Sequence, residues 1–211
     1  MPLPVWRIGV LVCTVSVGAA CAPPRDHEAG FRFPAETMTL SPAATTLLGG
    51  PIDKEEASRI QRLARRELEQ AFAGMPIRIT ARADAFWRVS VSALLPTRRR
   101  SPFPAAGETW PMGRFGGVSH VSFRVLAHAA LRYAPAGASR DEILLGVARG
   151  VGRTAAHELA HAILGPSPTM DGRDDEESYE FHSFARAAHY YGELHWNDAR
   201  PALIARLGGG P

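Results

Sequence analysis

Residues 139–166 read SRDEILLGVARGVGRTAAHELAHAILGP, and this stretch decides the fold because it predicts one long helix with a signal at each end. Ser139 followed three residues later by Glu142 is a capping box, which is typical of a helix start. Gly165 and Pro166 predict its end. Between these signals we expect a helix over Asp141–Leu164. Most residues near its C-terminal end are small or apolar, so we expect that end to be buried.

The helix carries the pentapeptide His157-Glu158-Leu159-Ala160-His161. Residues four apart lie on one helical face, so both imidazoles can bind the same metal ion. Glu158 lies beside them, where it can activate a metal-bound water. The alternative is an ordinary helix whose histidines and glutamate are solvated or hydrogen-bonded. The apolar surroundings argue against it, since burying three such groups without partners is costly.

This motif resembles the core of the zincin metallopeptidases. The resemblance implies one Zn²⁺ per chain and a third protein ligand. The metzincin pattern would place Gly at 164 and His at 167, but this chain has Leu164 and Ser167. A gluzincin-like chain instead takes a carboxylate from a following helix. That likeness implies Glu180, 19 residues after His161, with Glu177 and then Glu176 as alternatives.

The third-ligand helix is also suggested by the residues themselves. Acidic residues 174–177 favour a helix start through the helix dipole. An apolar stripe then follows at helical spacing, formed by Phe181, Phe184, Ala188 and Tyr191. On such a helix His182 would face away from the stripe, which makes it a weaker candidate ligand.

The resemblance also implies a mechanism. His157, His161 and Glu180 would hold the zinc ion, and Glu158 would take a proton from the metal-bound water and pass it to the leaving amine. A further group must stabilise the oxyanion. The candidates near the proposed third-ligand helix are Tyr179, His189, Tyr190, Tyr191 and His195.

The N-terminus has the character of an export signal. Arg7 precedes an apolar run over residues 8–20, which is too short for a comfortable membrane span. Residues 18–21, Gly-Ala-Ala-Cys, resemble a bacterial lipobox, which implies lipidation at Cys21 and an envelope lipoprotein. Simple secretion or a periplasmic protein is the alternative. The chain has two cysteines, Cys13 and Cys21, so the rest of it can form neither a disulfide nor a cysteine–zinc site.

The remaining patterns predict an α+β domain. We expect a signal peptide over 1–21, a flexible tether over 22–52 and a metallopeptidase domain over 53–211. Helical periodicity covers Asp53–Ala73, and alternation predicts strands near 77–81, 89–93 and 121–125. Residues 96–117 predict a long loop, and a short helix is expected near 199–207. The zincin likeness implies a small twisted sheet packed on the metal helix, with a helical C-terminal part.

The function implied is zinc-dependent peptide-bond hydrolysis in the bacterial cell envelope, with a peptide or protein substrate. The alternatives are a non-catalytic zinc-binding envelope lipoprotein, and a structural lipoprotein in which the motif is accidental. A net charge of +3, with no interleaving of basic and aromatic residues, argues against a nucleic-acid partner. The only membrane contact expected is the lipid anchor. The sequence does not indicate an oligomeric state.

Overall fold

The computed structural model describes residues 27–95, 105–112, 116–165, 170 and 175–208. The strands in these ranges are β1 (Glu28–Arg32), β2 (Arg78–Thr80), β3 (Trp87–Ser92), β4 (Gly107–Pro111) and β5 (Gly117–Ser122). The helices are α1 (Pro42–Leu47), α2 (Lys54–Ala71), α3 (Phe123–Tyr133), α4 (Arg140–Leu164), α5 (Ala188–Tyr191) and α6 (Ala199–Arg206). The α+β class is therefore confirmed.

The five strands form one mixed sheet in the order β2-β1-β3-β5-β4. The pairs β1–β2, β1–β3 and β3–β5 are parallel, and β4 runs antiparallel to β5. The short strand β2 and the antiparallel strand β4 are therefore the two edges of the sheet.

Helix α4 is the element around which the core is built, and its predicted ends are confirmed. The Ser139 hydroxyl accepts a hydrogen bond from the Glu142 N–H, and the Glu142 carboxylate accepts one from the Ser139 N–H at 2.7 Å. Gly165 ends the helix at a φ of 68°, which glycine adopts without strain. The helix packs against α2 on one side and against β5 and β4 on another.

Helix α2 also has the predicted start. The Asp53 carboxylate accepts the Glu56 N–H at 2.8 Å, and the Glu56 carboxylate accepts the Asp53 N–H at 3.0 Å. Helices α2 and α4 approach closely at Gly152, where an added Cβ would collide with the Ala64 carbonyl oxygen of α2. A small residue at this position therefore sets the distance between the two longest helices.

One face of the sheet packs on α4. In β3 the side chains of Trp87, Val89 and Val91 are buried, and those of the residues between them are partly exposed. This alternation is the one expected of a strand with a single buried face. The strands predicted near 77–81 and 89–93 are confirmed by β2 and β3.

The predicted flexible tether is wrong for most of residues 28–48. Strand β1 lies between β2 and β3, and its Ala29 and Phe31 are buried at 1% and 7% exposure. Helix α1 follows. The strand escapes prediction because its sequence, Glu-Ala-Gly-Phe-Arg, has no clean alternation. β1 forms because it pairs with strands that lie about fifty residues further along the chain.

The predicted strand at 121–125 is wrong in its second half, because β5 ends at Ser122 and α3 begins at Phe123. Phe123, Leu126 and Ala130 are buried and recur at helical spacing. Burial of this face favours a helix over a continued strand after Ser122. The predicted loop at 96–117 contains β4 and the start of β5. Its residues 96–104 and 113–115 lie outside the described residues.

The helix expected to carry the third ligand does not form. Residues 175–187 form turns, with an isolated bridge between Ser178 and His195, and only α5 is helical. Side chains take the backbone donors that a helix would need: the Asp175 carboxylate accepts the Glu177 N–H, and the Ser178 hydroxyl accepts the Glu180 N–H. Local side-chain hydrogen bonds of this kind compete directly with helix formation. Helix α6 confirms the short helix expected near 199–207.

The export signal and Cys21 lie outside the described residues. Within those residues, no helix is both long and apolar enough to cross a bilayer.

Candidate metal and catalytic site

The two histidines of the motif converge, as the helical period predicts. Their ring centroids are 4.6 Å apart, and the two Nε2 atoms are separated by 3.1 Å. Two nitrogens bound to one tetrahedral zinc ion at ordinary bond lengths would be about 3.3 Å apart. The spacing is close to that of two ligands of a single zinc ion, and it is also that of a direct hydrogen bond between the two rings.

A backbone contact orients the first histidine. The Nδ1 atom of His157 is 2.7 Å from the Tyr179 carbonyl oxygen. Because a carbonyl only accepts, Nδ1 carries the proton of the neutral ring and Nε2 keeps its lone pair. Metal-binding histidines commonly hold their other nitrogen in this way. The other ring nitrogen, Nε2, is the one that faces His161.

Glu158 is held between α4 and the sheet. Its side chain is 8% exposed, and its Oε2 atom accepts a hydrogen bond from the Thr109 hydroxyl on β4 at 2.5 Å. The Ser119 hydroxyl on β5 donates to the Glu158 backbone carbonyl at 3.0 Å. These contacts fix both the carboxylate and the helical turn that carries it against the edge of the sheet.

A small cavity of about 50 Å³ opens at this point. His157, Glu158 and Tyr179 line it, together with the exposed His182. His182 is a weaker candidate ligand only if residues 174–185 form a helix, and that helix does not form. Thr109 and Ser119 had no sequence signal, since only tertiary packing brings them to Glu158.

Gly107 makes room for the Glu158 carboxylate. A Cβ at this position would lie 2.5 Å from Cγ and 2.6 Å from Cδ of Glu158, which is closer than real Cβ atoms approach. The absence of a side chain on this residue of β4 is therefore a condition for the observed position of the carboxylate.

We expect Gly107→Ala to displace Glu158, lowering peptide turnover about tenfold or more and stability by about 1–3 kcal/mol, as overpacking does. Gly146→Ala is the matched control, because its Cβ would meet the Tyr191 ring at 2.7 Å, about three turns of α4 away from Glu158. Turnover per folded molecule, with folding followed by thermal melting, separates the two variants. Equal activity losses in both would contradict the role of Gly107.

The structure does not bring Glu180 to the histidine pair. Its Oε1 atom accepts hydrogen bonds from the Asn197 N–H at 2.7 Å and the Ala199 N–H at 2.8 Å, at the start of α6. Glu180 is 5% exposed, so this contact is part of the core. The turn at 175–187 directs one oxygen of Glu180 to backbone donors at the start of α6, and the assignment of Glu180 as the third ligand stays a prediction.

The alternatives Glu176 and Glu177 are exposed and do not line the cavity. In the described part of the chain, no three His, Cys, Asp or Glu side chains are grouped so that they could hold a metal ion. The described residues thus fit zinc as a pair of histidine ligands, with no third protein ligand among them.

Most of the predicted oxyanion stabilisers have other roles. The Tyr191 hydroxyl donates to the Ala130 carbonyl at 2.8 Å, and Tyr190 is fully buried beside Tyr133. Burial raises the pKa of Tyr191 to about 12. His195 pairs with an aspartate 3.1 Å away on the surface. Of the five candidates, only Tyr179 and His189 line the cavity.

His189 is buried against α4. Its Nε2 atom lies 3.0 Å from the Thr154 hydroxyl. Burial lowers the pKa of His189 well below its usual 6.5, and the nearby Arg186 and Arg153 lower it further. The ring is therefore neutral at neutral pH. It can offer a hydrogen bond to a ligand in the cavity but carries no positive charge there.

This burial predicts acid sensitivity. Because the folded pKa of His189 is depressed below 6.5, the unfolded chain binds more protons as the pH falls through that value, and stability is lost. We expect the free energy of unfolding to fall between pH 7 and pH 5, by up to about 1.4 kcal/mol per pH unit for this one group. Denaturant melts of wild type and His189→Gln across this range measure the slope.

In the variant, the free energy of unfolding should depend less steeply on pH. The difference in that free energy between variant and wild type at pH 8 measures any loss of packing. Half-buried His120, whose pKa is also lowered by desolvation, contributes in the same direction in both proteins. Identical slopes in wild type and variant would show that His189 is not the sensitive group.

Comparison of the chain with protein-family models, with curated proteins and with solved structures found no match.

Proposed function

We propose that this protein is a zinc-dependent peptide-bond hydrolase of the bacterial cell envelope, with a zincin-like catalytic domain. The observation that carries the proposal is the convergence of the His157 and His161 Nε2 atoms, with the Glu158 carboxylate held beside them by Thr109. An accidental motif on a solvated helix would not require a buried glutamate anchored to the sheet.

In this proposal His157 and His161 hold the metal through Nε2. Zinc, when bound, polarises a carbonyl and lowers the pKa of water to about 7. The Glu158 carboxylate takes the proton of the attacking water and transfers it to the leaving amine nitrogen as the C–N bond breaks. The hydroxyl of Thr109 limits the rotation of that carboxylate between the two proton transfers.

The edge position of β4 supports a peptide substrate. An extended peptide can add to an exposed sheet edge through backbone hydrogen bonds. Strand β4 is an edge of the sheet in the described part of the chain, and its Thr109 contacts Glu158 directly. A peptide added there would bring its backbone to the general base.

The envelope location rests on the N-terminal signal. Lipidation of Cys21 would anchor the chain to a membrane and leave the domain outside the bilayer. A secreted or periplasmic form without the lipid remains the alternative proposal.

A non-catalytic zinc-binding lipoprotein is the second candidate function. The observation that favours it is the commitment of Glu180 to capping α6, which leaves two histidines as the ligands among the described residues. The intact and anchored Glu158 favours the hydrolase, because metal binding alone does not need that acid.

Elemental analysis of the purified protein tests the metal site. After dialysis at neutral pH we expect one zinc per chain in wild type, and little or none in His161→Ala. His128→Ala, on the exposed face of α3, is the matched control and should keep its zinc. Absence of zinc from wild type after reloading would contradict both candidate functions. Hydrolysis by wild type, assayed on a peptide library, then separates the two.

A further inference from the structure

A second and larger cavity lies away from the histidine pair. It is a groove of about 680 Å³ between α1, α3 and residues 183–185. Leu40, Val125, Ala129 and Phe184 supply much of its apolar lining. Its volume falls in the range of about 300–1,000 Å³ that is usual for small-molecule sites.

The polar part of the groove is cationic. Arg124, His128 and Arg132 line it, and their spacing of four residues places them on one face of α3. Among its described lining residues there is no aspartate or glutamate. The potential around the groove therefore favours an anion.

The two arginine side chains differ in how firmly other groups hold them. Arg124 donates from Nε and Nη2 to the Thr39 carbonyl and hydroxyl, at 3.0 and 3.2 Å. Its remaining N–H groups point away from this anchor, so it is held in place at the groove. Arg132 is exposed and forms no ion pair with any carboxylate that the structure describes. An anionic headgroup in the groove would supply a counter-charge for Arg132.

Each of the two lining serine hydroxyls accepts one backbone N–H and keeps its own O–H to donate. The Ser41 Oγ atom accepts the Ala44 N–H at 3.2 Å, and the Ser183 Oγ atom accepts the Ala185 N–H at 3.1 Å. The side chains of the lining offer more donors than acceptors, so they suit the oxygens of an anion better than the alternating N–H and C=O groups of a peptide. An aliphatic chain needs no hydrogen-bond partners.

We propose that this groove binds a free single-chain carboxylate amphiphile, with its hydrocarbon chain on the apolar lining and its carboxylate at Arg132, while Arg124 adds to the positive potential of the groove. The hydrophobic effect holds the chain, and the guanidinium groups select the sign of the headgroup. Phe184 lines both cavities, but the proposed site uses none of the residues proposed to hold zinc or to carry out hydrolysis.

Calorimetric titration with dodecanoate, below its micelle concentration, tests the proposal. We expect saturable binding of one molecule per chain. Dodecyltrimethylammonium has the same chain with a cationic headgroup, and it should bind at least tenfold more weakly. Equal affinity for the two headgroups would overturn the proposal.

Two variants locate the site. Ala129→Trp fills the groove and should weaken dodecanoate binding at least tenfold, with folding checked by circular dichroism. Arg132→Glu changes an exposed side chain, so folding is not at risk, and it should weaken dodecanoate at least fivefold without weakening dodecyltrimethylammonium. Arg66→Glu, exposed on α2, is the matched control and should stay within twofold of wild type.

An Arg132→Glu variant that binds dodecanoate as wild type does would overturn the assignment. Absence of saturable dodecanoate binding by wild type would also overturn it, and would leave the groove to a different occupant, such as the apolar segment 8–20 of the chain or a second copy.

Discussion

Replacing Glu158 with glutamine should lower peptide turnover by about 10²–10⁴-fold, because an amide cannot accept the proton of the attacking water. The replacement keeps the size of the side chain and one oxygen for the hydrogen bond from Thr109. Zinc content should therefore remain at one per chain. Turnover of a library-derived peptide and elemental analysis of the same preparation measure the two properties together.

Glu176→Gln is the control for this change, since Glu176 is exposed and does not line the cavity. It should hydrolyse the peptide at the wild-type rate. Near-normal turnover by Glu158→Gln would rule out the proposed mechanism, even if zinc were bound.

Replacing Glu180 with alanine should lower the free energy of unfolding by about 2–4 kcal/mol and leave zinc content unchanged. The carboxylate accepts two backbone N–H groups at the start of α6, one buried and one part-buried, and loss of hydrogen bonds to a charged partner costs about 1.5–3 kcal/mol each. Water entering the vacated space would recover part of that loss. Urea denaturation measures the stability change.

Glu180→Gln keeps one acceptor oxygen and should lose roughly half as much. The exposed Glu177→Ala is the matched control, with an expected change within about 0.5 kcal/mol. A folded Glu180→Gln protein that no longer binds zinc would contradict the capping role and restore Glu180 as a ligand.

The position of Glu158 follows from the local sequence, and that of Glu180 does not. Glu158 lies within a helix whose start and end are both marked in the sequence, so its neighbours at positions 157 and 161 follow from helical geometry. Glu180 was assigned on the assumption of a second helix. In the structure, the hydrogen bonds of Asp175 and Ser178 replace that helix with turns.

The edge strand β4 also could not be predicted from the local sequence. Its sequence, Gly-Glu-Thr-Trp-Pro, lies in a stretch rich in proline and glycine that predicts a loop. It is ordered by antiparallel pairing with β5, and its contact with Glu158 joins residues 49 apart in the chain. Propensity within a short window contains no information about such pairing.

The sequence alone determined the two long helices and the pairing of His157 with His161, because caps and helical faces depend on residues three or four apart. Only the tertiary structure decided where β1 lies, which side chains hold Glu158, and that Glu180 caps α6. All three features depend on contacts between segments that are distant in the chain. The free energy of such contacts comes from burying apolar surface and from satisfying backbone hydrogen-bonding groups, and no local sequence pattern describes either.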